Sequence, residues 1–161
     1  IAFDLFRTAG RHVFDTAMIA ERLLAYGDVL ARAPQSVHPA VRAALEPGLK
    51  YSATQAFETI YTVQAQRREA ARILAPFDAL VVPTVPTIFT IEAMLADPMA
   101  RNSAMGTYTY FVNPLDLCAV SVPGGGRRDG LPSALSIIAP AACDGVIHAI
   151  GLHAEQLFGA K

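Results

Sequence analysis

The chain has 161 residues, 53% of them hydrophobic, with 13 Lys and Arg against 14 Asp and Glu. Such a length fits one domain with a real core, and the apolar fraction excludes a disordered chain. A net charge of −1 excludes a general electrostatic grip on nucleic acid or an anionic membrane.

The elements follow in chain order. Thr8 to Arg32 reads as one long helix, with Val13, Ala17, Ala20 and Leu24 recurring at helical spacing between charged residues. Pro34 ends it. His38-Pro39 opens a short helix to Leu45, and Pro47-Gly48 stops that one. Ser52 is an N-cap for a second long helix to Leu74, with Ala56, Ile60, Val63 and Ala70 on its apolar face and Arg67, Arg68, Glu69 and Arg72 on a solvated one. Phe77–Pro83 is a short apolar run bounded by prolines, which fits a strand buried on both faces. Thr84–Thr87 is extended loop, because each proline restrains the residue before it. Ile91–Ala96 reads as a turn or two of helix. Two further buried runs lie within Asn113–Val122 and Ser133–Ile138, and Asp144 caps a last helix through Phe158 that Gly159 stops. Helices first, then strands between helices, predict an α/β fold: a mixed sheet with helical cover.

The low charged fraction, 17%, is short for a free-standing surface and suggests that another chain or further sequence covers part of it. Cys118 and Cys143 sit among small apolar residues and read as reduced core thiols, which points to a cytoplasmic location. No secretory signal pattern opens the chain, no apolar run is long enough to span a bilayer, and the lack of an initiator Met suggests a trimmed start.

Residue chemistry alone supplies no catalytic engine. There is no nucleophile elbow, and the lysines, Lys50 and Lys161, lack the apolar setting that would lower a pKa. His12, His38, His148 and His153 share no metal spacing, so no metal or cofactor is expected. Gly124–Gly126 beside Arg127 and Arg128 can cradle an anion or simply turn between two strands; with no helix following, the turn is the first reading.

Several segments carry a resemblance. Phe77-Asp-Ala-Leu-Val-Val-Pro-Thr-Val-Pro-Thr87, then Leu95-Ala-Asp-Pro98, Asn102-Ser103, Gly106-Thr-Tyr-Thr-Tyr-Phe-Val-Asn113, Leu115-Asp-Leu117, Val122-Pro123 and Asp129-Gly-Leu-Pro132 resemble, in order and wording, the allophanate hydrolase branch of the amidase signature family. The resemblance implies a partial amidase-signature fold: residues 1–161 as the C-terminal portion of the domain, helical over 1–75, with strands and helices of the core over 76–161. The family's triad of a Ser nucleophile, a second Ser and a Lys lies in motifs that nothing here matches, so no catalytic residue is carried over. What the resemblance leaves to this chain is a share of a pocket for a small amide. Tyr108 and Asn113 either line it or fix the loop as structural hydrogen-bonders. Allophanate hydrolases commonly have Asn-Ser-Arg where this chain has Asn102-Ser103-Ala104, and Tyr at Phe89. Arg101 can replace that cation only if its loop is repositioned. The implied reaction is hydrolysis of allophanate to ammonia and, after decarboxylation, carbon dioxide, as in urea degradation. A general amidase, a tRNA amidotransferase subunit, or a non-catalytic binding module are the alternatives. Expected partners are the amide substrate and either a second copy or an N-terminal amidase segment, because cut sheet edges seek partners.

Overall fold

The computed structural model describes residues 1–158. Helix α1 spans Asp4–Asp15, and a 3-10 turn at Ala17–Glu21 leads into α2, Arg22–Arg32. The single helix expected over Thr8–Arg32 is therefore broken. Thr16 is extended, its hydroxyl donates to the His12 carbonyl at 2.6 Å and accepts from the Met18 N–H at 3.4 Å. A hydroxyl that satisfies backbone groups locally competes with the helical ladder, and here it wins. Leu24, placed on the apolar face by its spacing, is 89% exposed; Phe6, Ala9, Gly10, Ala17 and Ile19 are the buried residues.

Helix α3 covers Pro39–Leu45 and runs into a second 3-10 turn at Glu46–Lys50. Helix α4, Ala53–Leu74, starts at a full capping box: Ser52 Oγ accepts from the Gln55 N–H, and the Gln55 side chain accepts from the Ser52 N–H. Its buried face is Thr59, Val63, Ala70 and Leu74, whereas Ile60 is exposed. Arg67 is not merely solvated, because its Nε donates to the Pro114 carbonyl at 2.7 Å.

Strands β1 (Leu80–Pro83), β2 (Leu117–Gly126) and β3 (Pro132–Pro140) form one antiparallel sheet in the order β1-β3-β2. Ser136 of the central strand faces Val82 on one side and Ser121 on the other. The Gly124–Gly126 run is the bulged end of the β2–β3 hairpin; Gly125 has φ +84°, a conformation open to glycine, and Arg127 is bound through Nε and Nη2 to Asp129. Along the chain between β1 and β2 come α5, Ile91–Ala96, and α6, Pro98–Met105. Helix α7 is Asp144–Phe158, opened by Asp144 in its first turn; the stop expected at Gly159, and Lys161, lie outside the described residues.

The period-two pattern of β3 separates two cores. Ile138 joins Phe6, Ala70, Leu74, Val82, Phe111 and Leu115 on the side of α1 and α4. Ile137 and Ala139 join Val122 and Ile147 on the side of α7. The sheet is thus a middle layer with helices on both faces, the α/β arrangement expected. Strand β1 departs from its expected burial. It is an edge strand, with Val81 54% exposed and Phe77, before the strand, 51% exposed. Cys118 and Cys143 are free thiols, half-buried beside the α7 core. No helix among the described residues is long and apolar enough to cross a membrane.

Candidate functional site

The best-matched motifs fall on one stretch that wraps across α1 and α4. Asp97 caps α6 by accepting the Ala100 N–H, with Pro98 in the first turn, so the Asp-Pro pair is the local signal that starts this helix. Arg101 and Ala104 stand one helical turn apart on α6, yet Ala104 faces the cavity beside α1 whereas Arg101 turns to Phe89. After α6 the chain turns through Gly106–Asp116, held by Arg67 on the Pro114 carbonyl and by Asp116 at φ +56°, whose N–H donates to the Asn113 carbonyl.

The structure scatters the sequence-derived candidates. Tyr108 rests on Phe3, ring centroids 5.5 Å apart, against the α1/α4 core. Asn113 is exposed. The Arg101 guanidinium lies over the Phe89 ring at 4.9 Å, and its Nε is buried without an acceptor. A cavity of about 430 Å³ opens between α1 and α6; Arg7, Arg11 and Phe14 line one side and Ser103, Ala104 and Tyr110 the other, and none of the three candidates lines it. Arg7 pairs with Asp4 at 3.4 Å and Arg11 with Asp15 at 3.0 Å, both in the open.

Tyr110 lies inside the matched motif, but nothing in the sequence sets it apart from its neighbours. Its hydroxyl donates to the Asn102 carbonyl at 2.9 Å and accepts from Asn102 Nδ2 at 2.7 Å, and its ring stacks obliquely on Phe14 at 4.7 Å. Burial pushes its pKa up, opposed by the Asn102 hydrogen bond and the charge of Arg22. A second group that sequence reasoning misses lies on the sheet: Thr84 Oγ1 is 3.0 Å from Ser121 Oγ and 2.9 Å from Ser136 Oγ. Strand serines carry no local signal of such a cluster; only the register brings them together.

His12, at the α1/α4 contact, has Nε2 at 3.4 Å from Gln66 Nε2, while its Nδ1 and Gln66 Oε1 are buried without partners. Burial lowers the His12 pKa, and the charge of Asp15 partly opposes this. His148 and His153 are exposed on α7. Among the described residues no three His, Cys, Asp or Glu side chains stand close enough to hold a metal ion. This arrangement can shape and charge a pocket wall. It offers no nucleophile with a base beside it.

No family model matches the chain. A urea amidolyase of Lachancea kluyveri is 36% identical over 140 residues, 86% of this chain and 8% of that protein. The crystal structure of Kluyveromyces lactis allophanate hydrolase superposes with a TM-score of 0.90 at 30% identity, over 97% of this chain and 26% of that one. A glutamyl-tRNA(Gln) amidotransferase subunit of Corynebacterium jeikeium is 34% identical over 112 residues, 63% of this chain and 22% of that protein. The chain thus spans less than a tenth of the urea amidolyase and about a quarter of the allophanate hydrolase.

Proposed function

This chain belongs with the allophanate hydrolases and urea amidolyases, on the amidase-signature fold, and from that premise we propose that it is the C-terminal part of an amidase domain that hydrolyses allophanate. Water cleaves the terminal amide of the substrate; ammonia leaves, and the remaining dicarboxylated nitrogen loses carbon dioxide. This is a step of urea degradation, carried out in the cytoplasm. The chain contributes core, pocket wall and substrate contacts, and a preceding amidase segment supplies the nucleophilic Ser, the second Ser and the neutral Lys that relays the proton.

One observation carries the reading: allophanate hydrolase and urea amidolyase relatives match 86–97% of the chain, while no Ser-Ser-Lys motif occurs in it. The amidotransferase relatives support a second reading, an amidase that feeds ammonia to tRNA-bound glutamate, but they match less closely, at 31–35% identity over 58–84% of the chain against 36% over 86%. Tyr108, packed on Phe3, and Asn113, which is exposed, belong to the same proposal as substrate contacts of the complete domain.

The test is a hybrid enzyme. This chain replaces the matching quarter of the K. lactis allophanate hydrolase, and ammonia release is measured with allophanate and with neutral amides. Release from allophanate by the hybrid, and none from the 161-residue chain alone, is expected. A folded hybrid that hydrolyses neutral amides but not allophanate overturns the reading.

A further inference from the structure

Two cysteines of this chain converge on one carbonyl oxygen. Cys118 is the second residue of β2, opposite Ala139 of β3, and its side chain packs on the α7 core. Its Sγ donates to the Pro140 carbonyl at 3.2 Å. Beyond Pro140 the chain turns back, and the Cys143 N–H donates to that same carbonyl, also at 3.2 Å. The Cys143 carbonyl accepts from Val146 and Ile147, so Cys143 opens α7. Its side chain packs on the same core of Val122, Ile137, Ala139 and Ile147. Both thiols are free and half-buried. The backbone on each side is unusual: Ala142, next to Cys143, has φ +66°, and Asp116, two residues before Cys118, has φ +56°. Side chains with a Cβ rarely adopt this left-handed region, and here it delivers both cysteines to one end of the α7 face.

We propose that Cys118 and Cys143 are a redox modification site, closed to a reversible disulfide by exchange with a low-molecular-weight disulfide such as oxidised glutathione. One protein thiolate attacks the glutathione S–S bond, which breaks; a mixed disulfide forms and one glutathione leaves. The second protein thiolate attacks the protein sulfur of the mixed disulfide, forms the Cys118–Cys143 bond and expels the second glutathione. Two protein thiols are oxidised, one glutathione disulfide is reduced, and the two protons pass to the departing glutathione thiolates. With the Cys118 sulfur and the Cys143 backbone on one oxygen, rotation of side chains brings the sulfurs together. The bond ties the start of α7 to β2, so the oxidation state sets how firmly the helix is held to the sheet. In a reducing compartment such a bond is transient and reports oxidation. The site is independent of the function proposed above.

The 161-residue chain is incubated with oxidised glutathione, blocked with iodoacetamide and digested with trypsin without reduction. Arg127 and Arg128 lie between the cysteines, which therefore fall on separate peptides. Those two peptides are expected to stay joined in mass spectrometry, from a chain that remains monomeric in mass on a non-reducing gel, and dithiothreitol should separate them. Oxidation should raise Tm by about 5 °C or more, reversibly. Cys118→Ser and Cys143→Ser should each stop at the mixed disulfide with glutathione and show no such rise. A link between two chains, glutathione left on both cysteines of the parent, or no reaction of the folded chain overturns the proposal. A joined pair without a rise in Tm overturns the claim that the bond fastens α7.

Discussion

Gly106→Ala isolates how tightly the turn after α6 is built. Gly106 is buried, at φ −82°, so alanine meets no backbone strain there and, on propensity alone, is neutral or stabilising. A Cβ at this position, however, overlaps the Tyr110 ring. That ring cannot swing away cheaply. Its hydroxyl makes two hydrogen bonds with Asn102, its face lies on Phe14, and Arg22 sits over Phe14 at 4.7 Å. Overpacking costs about 1–3 kcal/mol, and each hydrogen bond lost as the ring moves adds about 0.5–1.5 kcal/mol. The expected destabilisation is about 2–4 kcal/mol, a fall in Tm of about 5–15 °C for a chain of this size. Urea unfolding followed by circular dichroism, with scanning calorimetry, measures both. Adding Tyr110→Ala should be sub-additive, because it removes the obstacle to the new methyl group. A Gly106→Ala chain within about 0.5 kcal/mol of the parent, judged against that scale, refutes the argument that the ring is locked.

Ser52→Ala removes half of the capping box and should cost about 1 kcal/mol, with helical signal lost from the start of α4. His12 carries a pH dependence. Its folded pKa lies below the ordinary value of 6.5, so the unfolded chain takes up a proton that the folded chain refuses. Stability held above pH 6.5 should therefore fall as pH drops through the folded pKa, and His12→Phe should flatten that part of the stability profile; an unchanged slope refutes it. Strand β2 is an unpaired edge of ten residues, LCAVSVPGGG, with no charge along it. The isolated chain should self-associate in light scattering, and Ala119→Lys should reduce this; a monodisperse monomer at high concentration counts against an open edge.

Where the sequence could be read, the signal was local. Ser52 announces α4 because a cap is read from residues next to the helix start, and the structure adds Gln55 as its partner three residues on. The buried run of Ser133–Ile138 announces β3, and the strand then sends Ile137 and Ile138 to opposite cores because side-chain direction is set by the backbone alone. The break at Thr16 was illegible for the opposite reason. Apolar spacing continues through it, and a hydroxyl bonding to His12 and Met18 leaves no trace in periodicity. The candidate site was legible as a set of motifs and illegible as an arrangement. The stacking of Arg101 on Phe89 and the meeting of Thr84 with Ser121 and Ser136 join residues 12 to 52 positions apart.

The apolar misreadings have a pattern of their own. Leu24 and Ile60 obey the helical period of a buried residue, Val81 lies in a continuous apolar run, and all three stand exposed; Phe57 and Tyr61 extend the stripe beside Ile60 along α4. Each lies away from the α1/α4 core and the α7 core. Hydrophobic spacing reports the burial a residue has in the whole folded unit, and in the K. lactis relative the matching region is only 26% of the chain. On the proposed function these residues meet the preceding amidase segment, and the misreadings mark its footprint. Phe57→Ser, Ile60→Ser or Val81→Ser should then leave the isolated chain nearly as stable as before, since an exposed side chain has little burial to lose. In the hybrid enzyme the same substitutions should lower Tm and activity together, by the transfer free energy of about 1.5–3 kcal/mol for each side chain that becomes fully covered. Equal stability changes in the chain and in the hybrid would mean that these faces stay exposed in both, and that the period of α4 and β1 records something other than burial.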